Sequence, residues 1–396
     1  MHLSPGSVGL TVLLGLLVAL TPLGTDAYLP TLPAIALAFG ASVSAVQFTI
    51  TTFFLGIAAG QLVWGPLSDR FGRKPLLLCG LSLFLLAALA CMSATSVTEI
   101  SFWRFVQGLG MSSGPVIART IVRDLHSNEQ AARMLARMMI VFGIAPIGAP
   151  LLGAQLLAWW GWQAIFALLA SVAIGLLSSI AVGLKESAPR ASTPATPAGI
   201  ARAFANILTE PRFIAPFCVL LGTQIGIFAF VTNSAFVLVK AFGLSPREYS
   251  VLFAAVMIGQ ITGAWFTSRF VMRLGVNGML RFGTRLACVS GLLAAALAWS
   301  GLEHWLAIVL PFMGFMFAAS CVIPNATAAA LAPFPHSAGA ASSLLGACAF
   351  VLGASVSVAL GALYDGSARP MTTVLALAGV CALLAERFLV RRPAVA

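Results

Sequence analysis

Charge is what this chain has least of. Of its 396 residues only 8% are Asp, Glu, Lys or Arg, and just 11 are acidic, while 60% are hydrophobic. Soluble domains carry about a quarter charged residues, so a mean hydropathy of +1.01 excludes a water-soluble globule. Histidine is scarce as well: His2, His126, His304 and His336 are scattered and form no metal-ligand spacing. The seven cysteines (Cys79, Cys91, Cys218, Cys288, Cys321, Cys348 and Cys381) include no CxxC pair and all fall in apolar runs. They read as small packing residues, not as a disulfide framework.

Catalytic signatures are missing too. There is no GxxxxGK[ST] phosphate loop, so a nucleotide-driven pump has no site here, and no GxSxG nucleophile elbow. GLGMSSG, from Gly108 to Gly114, is rich in glycine but does not follow GxGxxG, and it reads as close helix packing. These absences argue against an enzyme and against any bound cofactor.

What is present is a series of apolar runs, each long enough as a helix to cross a hydrocarbon core of roughly 30 Å. Twelve spans fit: 8–30, 44–65, 76–94, 99–119, 134–157, 163–184, 213–235, 248–269, 279–300, 304–326, 338–362 and 371–390. The expected fold class is an all-α polytopic membrane protein. The N-terminal run lacks a basic flank and is too long for a signal peptide, so it reads as an uncleaved first helix. Basic residues test the placement, because Lys and Arg accumulate on the cytoplasmic side. With both termini inside, Lys240, Arg247 and Arg369 fall outside and Arg104 falls within a span, while the other eighteen of the 22 lie in or beside cytoplasmic segments. The net charge of +11 then describes a surface facing anionic lipid and needs no nucleic-acid partner.

Lys185 to Ile200, rich in Pro, Ala, Ser and Thr, divides the chain near its midpoint and leads into the amphipathic IARAFANILT ending at Thr209. Expected domains are a bundle of six helices at 1–185, a cytoplasmic linker at 186–211 and a second bundle of six at 212–396. GQLVWGPLSDRFG, from Gly60 to Gly72, aligns with GQITGAWFTSRFV, from Gly259 to Val271, at an offset of 199, which points to a duplicated architecture.

Ionisable groups inside spans are costly and therefore functional candidates. Asp26, in TPLGTDAYLP, is the deepest acid and Arg104 the one deep base. Counting rise along spans 1 and 4 puts both roughly 6 to 8 Å below the outer boundary. They are either a structural pair, or an interfacial aspartate near a turn marked by Pro30 and Pro33, or a proton-titrating site. In the last case desolvation favours the neutral acid, the guanidinium favours the carboxylate, and a conformational change that alters the balance moves a proton. Tyr28 is close enough in sequence to donate a hydrogen bond. Gln47, Thr51, Phe54, Ala58 and Gln61 share one face of span 2, which lines either a helix contact or a water-filled cavity. Gln107 and Met111 follow Arg104 along one face of span 4, and Gln224, Asn233 and Asn325 are polar candidates in the second half.

GQLVWGPLSDRFGRKP, from Gly60 to Pro75, resembles motif A of the major facilitator superfamily. RFVQGLG at Arg104 resembles its motif B. GIAPIGAPLLG, from Gly143 to Gly153, resembles the antiporter motif C, and TDAYLPTLP is similar to the opening of the drug:proton antiporter branch. IPNATAAALAPFPHSAGAASSLLG, from Ile323 to Gly346, looks like the Bcr/CflA drug-resistance family of the bicyclomycin-resistance type.

The resemblance implies a cytoplasmic gate at Gly65, Asp69, Arg70, Gly72, Arg73 and Asp124. In it Arg73 pairs with Asp124, and Asp69 meets the N-terminal dipole of span 11, into which Pro333 to Gly339 leads. It implies a helix-bending exporter motif at Gly143, Pro146, Gly148, Pro150 and Gly153. The second copy of motif A departs from the first, with Ser268 where the first has Asp69. The reading is a monomeric, proton-gradient-driven exporter of small molecules in the bacterial inner membrane, with bicyclomycin-, chloramphenicol- or sulfonamide-type substrates implied by resemblance. The alternatives are uptake of a metabolite such as a nucleoside on the same fold, and a membrane-embedded enzyme or receptor.

Overall fold

The computed structural model describes residues 7–125, 128–187, 204–302, 304–334 and 338–389, with backbone alone for 128, 129, 131–133, 136, 139, 140 and 338. Every regular element among them is helical. Ten helices are long and apolar enough to cross a membrane.

The chain begins with α1, Val8–Asp26, capped by the Ser7 hydroxyl, which accepts from the Leu10 amide at 3.2 Å. Proline shapes its end: Pro30 has no N–H to donate to the Asp26 carbonyl four residues back, and its ring crowds that oxygen. The helix therefore stops at Asp26, passes through a 3-10 turn at Leu29–Thr31 and resumes as α2, Leu32–Ala38. The first apolar run thus extends to Ala38, eight residues beyond the expected boundary. After the Ser42 cap comes α3, Val43–Phe71, which ends on Gly72 at φ 97°. At that angle only glycine is unstrained. Immediately beyond is α4, Arg73–Met92.

The expected fourth span is two helices, α5 (Val97–Met111) and α6 (Ser113–Leu125). Pro115 explains the break, since its ring lacks an N–H and crowds the carbonyl of Met111 four residues back. Two longer helices follow, α7 (Asn128–Trp160), which stays continuous through Pro146 and Pro150, and α8 (Gln163–Gly183).

Residues 204–208 are helical, and the rest of the expected linker from 188 to 203 lies outside the described residues. Next come α9 (Pro211–Ala235) and a π-helical turn at Phe236–Ala241. The two expected spans 248–269 and 279–300 share α10, Pro246–Trp299. It opens on a Ser245/Glu248 capping box and is broken at Gly275, with φ 69° and ψ 168°. The last three are α11 (Leu306–Leu331), α12 (Ala338–Leu363) and α13 (Arg369–Leu389).

The chain divides into two compact units, residues 1–196 with Gly346–Ala354, and residues 197–345 with Ser355–Ala396. Inside the first, α3 packs on α5, α1 on α7, and α4 on α5 and α8. Inside the second, α10 packs on α11 and α13, and α9 on α13 and α11. Lipid supplies no hydrophobic drive between helices, so close approach of backbones has to do the work. Gly56 faces the Phe105 carbonyl, and Gly108 faces that of Phe53. A Cβ on Gly60 would lie 2.8 Å from the Leu109 carbonyl oxygen, to which the Trp64 indole donates at 2.7 Å. Large apolar side chains such as Leu86, Ile174, Trp265 and Phe388 point outward, as a lipid-facing surface requires.

Candidate functional site at the end of the first helix

The break after Asp26 creates the site. In an unbroken helix the Gly24 carbonyl would accept from the Tyr28 amide, but that amide turns to Thr25 O at 3.2 Å. Gly24 O is thereby left as an orphan at a helix C-terminus, where partial negative charge collects. Arg104 fills the role: both terminal guanidinium nitrogens donate to Gly24 O at 3.2 Å. Nη1 also donates to Gln107 Oε1 at 2.7 Å, and the guanidinium carbon lies 3.6 Å from the ring centre of Phe53 and 4.4 Å from that of Tyr28. A fully buried cation is thus held by carbonyl dipoles and aromatic faces.

The expected pairing of Asp26 with Arg104 gives way to this arrangement. Depth arithmetic puts the two at one level, yet the main chain two residues earlier captures the guanidinium. Asp26 is 7% exposed and makes no hydrogen bond or ion pair among the described residues. Arg104 Nε and Gln107 Nε2 also have no hydrogen-bond partner there. Tyr28 is engaged elsewhere, its hydroxyl 2.9 Å from Thr49 Oγ1. Met111 is buried, and its sulfur would lie 3.5 Å from a Cβ placed on Gly24. On the remaining side Gly153 of α7 closes over the end of α1, where a Cβ would sit 2.9 Å from the Ala27 carbonyl carbon. Of the motif C residues, Pro146 and Pro150 are buried and Gly143 and Gly148 face open space. Only Gly153 makes that close helix approach.

Along α3, Gln47, Thr51, Phe54 and Ala58 are buried and Gln61 is half-buried. Thr51 donates back to the Gln47 carbonyl at 3.4 Å, while Phe54 meets Phe350 at a ring separation of 5.6 Å within the same unit. The second unit holds Gln224 half-buried and Asn233 and Asn325 buried, with Asn325 Nδ2 donating to Cys321 O of its own helix at 2.8 Å. A groove of about 620 Å³ lies elsewhere, between apolar faces of α1 and α8 at Leu13, Leu16, Val172 and Gly175. None of the predicted cavity residues lines it.

The motif A turn forms a second cluster. A Cβ added to Gly65 would only reach ordinary van der Waals distance from Val116, 3.9 Å. Arg73, 5% exposed, donates through Nε to Asp124 at 2.9 Å and through Nη1 to Ser68 Oγ at 3.0 Å and to Asp69. Asp69 therefore engages its own turn, because the break at Gly72 brings Arg73, the first residue of α4, back onto the end of α3. Residues 335–337, expected to lead into the dipole that Asp69 was to meet, lie outside the described residues. Arg70 is exposed over Phe71.

Glu186 joins this cluster and was missed from sequence, where it reads as the first residues of a solvated linker. Its one signal is being an acid in a basic loop. Phe53 and Gly24 were also missed, because an apolar ring and a backbone carbonyl carry no mark of binding a cation.

The Major Facilitator Superfamily model matches residues 14–358. A bicyclomycin resistance protein homolog from Haemophilus influenzae is 31% identical over 381 residues, 96% of this chain and 95% of that one. Multidrug resistance protein D of Escherichia coli is 30% identical over 341 residues, covering 86% and 85%. Among solved structures, a D-xylose-proton symporter superposes with a TM-score of 0.76 at 17% identity over 96% of each chain, a likeness of fold alone. Family and relatives are transporters rather than enzymes. The chain belongs to the major facilitator superfamily, within the bicyclomycin-resistance-type branch that its motifs resemble.

Proposed function

We propose that the protein is a proton-coupled exporter of small, largely uncharged drugs or metabolites, a monomer of the bacterial inner membrane. It would have twelve spans in two bundles of six and both termini in the cytoplasm. The observation that carries the reading is the buried carboxyl of Asp26, which takes no hydrogen-bond or ion-pair partner among the described residues, the Arg104 guanidinium being committed to Gly24 O. An acid inside a span with no fixed partner is the kind of group a proton-driven carrier needs, because it can exchange its proton with water when water reaches it.

The cycle follows. A proton entering from outside neutralises the Asp26 carboxylate, substrate leaves outward, and the protonated carrier reorients. On the cytoplasmic side Asp26 releases the proton to water and substrate is captured again. Arg104 holds the end of α1, while Tyr28, Gln107, Met111 and the Gln47, Thr51 and Phe54 face offer substrate contacts in the first unit. Gln224, Asn233 and Asn325 are the polar candidates for substrate contact in the second. Gly65, Asp69, Arg70, Gly72, Arg73 and Asp124 form the cytoplasmic gate, and Gly153 keeps α7 tight against the end of α1. The named relatives support bicyclomycin-like cargo.

Transport of bicyclomycin into inverted vesicles under an imposed pH gradient tests this. Gradient-driven accumulation that is lost in Asp26→Asn is the expected result. Accumulation that survives the substitution unchanged overturns the coupling role, and movement only into right-side-out cells overturns the direction.

A further inference from the structure

The junction between α4 and α8 is built as a pair of reciprocal helix caps. Glu186, three residues past the end of α8, accepts the Arg73 amide on Oε1 at 2.9 Å and the Lys74 amide on Oε2 at 3.2 Å. These are orphan donors at the positive end of α4, where a carboxylate is the natural partner. In return the Lys74 ammonium donates to the Ala181 carbonyl at 2.8 Å, near the negative end of α8. Gly72 is part of the fit: a Cβ there would sit 2.7 Å from Glu186 Oε2. Arg73 thus holds Glu186 through its main chain and Asp124 and Ser68 through its side chain, so one residue joins the chain leaving α8 to the ends of α3 and α6.

We propose that Glu186 is a positioning residue of the gate: by fixing the first turn of α4 it holds the Arg73 guanidinium on Asp124, so the latch stays closed only while the segment leaving α8 is docked. A reach of 113 residues in sequence makes this a tertiary cap and not a local turn. The gate's role in transport rests on the exporter reading, but the positional claim does not.

Amide hydrogen exchange on the full chain in nanodiscs separates the two. Glu186→Ala is expected to speed exchange about five- to tenfold at residues 73–76, the scale of a lost helix cap, and to speed it also at residues 120–124, where Asp124 ends α6. Glu186→Gln, which keeps one acceptor of the same reach, should recover part of both. Acceleration confined to 73–76 overturns the proposal, because Glu186 would then be a cap and nothing more.

A second readout uses bicyclomycin in inverted vesicles: Glu186→Ala should lower kcat several-fold with KM unchanged, as a gate defect does and a damaged binding cavity does not. A raised KM at constant kcat counts against the positioning role. Absence of bicyclomycin transport by the unaltered protein counts against the exporter reading and leaves the exchange comparison to decide Glu186.

Discussion

The turn after α3 and its counterpart within α10 come from matching sequence, Gly60 to Gly72 and Gly259 to Val271, yet they are built for different work. Both rest on glycine-mediated helix contact. Gly60 lies against Leu109 and Ser112, and Gly259 lies against Met313, where a Cβ would come within 2.9 Å of the carbonyl carbon. A glycine at positive φ follows both, though not in register: Gly72 at 97° closes the first segment, and Gly275 at 69° lies four residues past Val271, which aligns with Gly72. The charges separate them. The first turn gathers Asp69, Arg73, Asp124 and Glu186. In the second, Ser268 replaces the aspartate and donates to its own Trp265 carbonyl at 2.7 Å, while exposed Arg269 and Arg273 make no ion pair among the described residues. One close-packed turn thus carries a charge cluster and its counterpart has none among the described residues, which teaches that the packing glycines and the charges are independent layers of the motif.

The largest expected effect breaks the charge cluster of the first turn. Arg73→Ala should lower the denaturation midpoint by an amount equivalent to about 2–3 kcal/mol. That is below the full cost of orphaning buried charge, because Asp69 is more than half exposed and screened. Arg273→Ala, at the exposed arginine next to the aligned position Met272, should stay within about 0.5 kcal/mol, and equal losses would erase the asymmetry.

Next comes the glycine pair. Gly72→Ala forces an L-residue into a glycine-only conformation and pushes a methyl into Glu186. Gly275→Ala imposes strain of about 1–3 kcal/mol alone, since nothing lies within 4 Å of its Cβ. Denaturation midpoints should rank Gly72→Ala below Gly275→Ala.

Gly60→Ala and Gly259→Ala are each expected to cost about 1–3 kcal/mol, Gly259→Ala the more, because its methyl meets the Met313 main chain first while that of Gly60 meets the rotatable Ser112 hydroxyl before the Leu109 carbonyl. The reverse order would mean that the two contacts are not as packed as they stand. The smallest effect is Ser268→Asp, within about 0.5 kcal/mol. Placing an acid on the bare turn should not create a latch, because no buried counterpart of Asp124 awaits it among the described residues.

Much of this was legible in the text of the chain. Apolar run length places the helices, and Gly-Gln, Arg and Phe in register mark the repeat. Asp26 and Arg104 stand out because ionisable groups are rare in apolar runs. What did not read through is how they are satisfied. Depth arithmetic treats a span as a straight helix, whereas prolines break α1 after Asp26, and the freed Gly24 carbonyl competes for Arg104. Pro115 likewise splits the fourth span, and Gly275 lets two spans share one helix assignment with only a local break. Glu186 was invisible as a cap, since its partners lie more than a hundred residues away.

Composition and periodicity alone dictate a polytopic helical membrane protein, because no other arrangement satisfies so apolar a backbone in lipid. They also single out the few charges that must matter, since each is expensive where it lies. Folding in three dimensions decides which partner each charge takes. Hydrogen bonding is short-ranged and directional, so a main-chain carbonyl freed by a helix break takes the guanidinium that charge and depth alone would have given to Asp26.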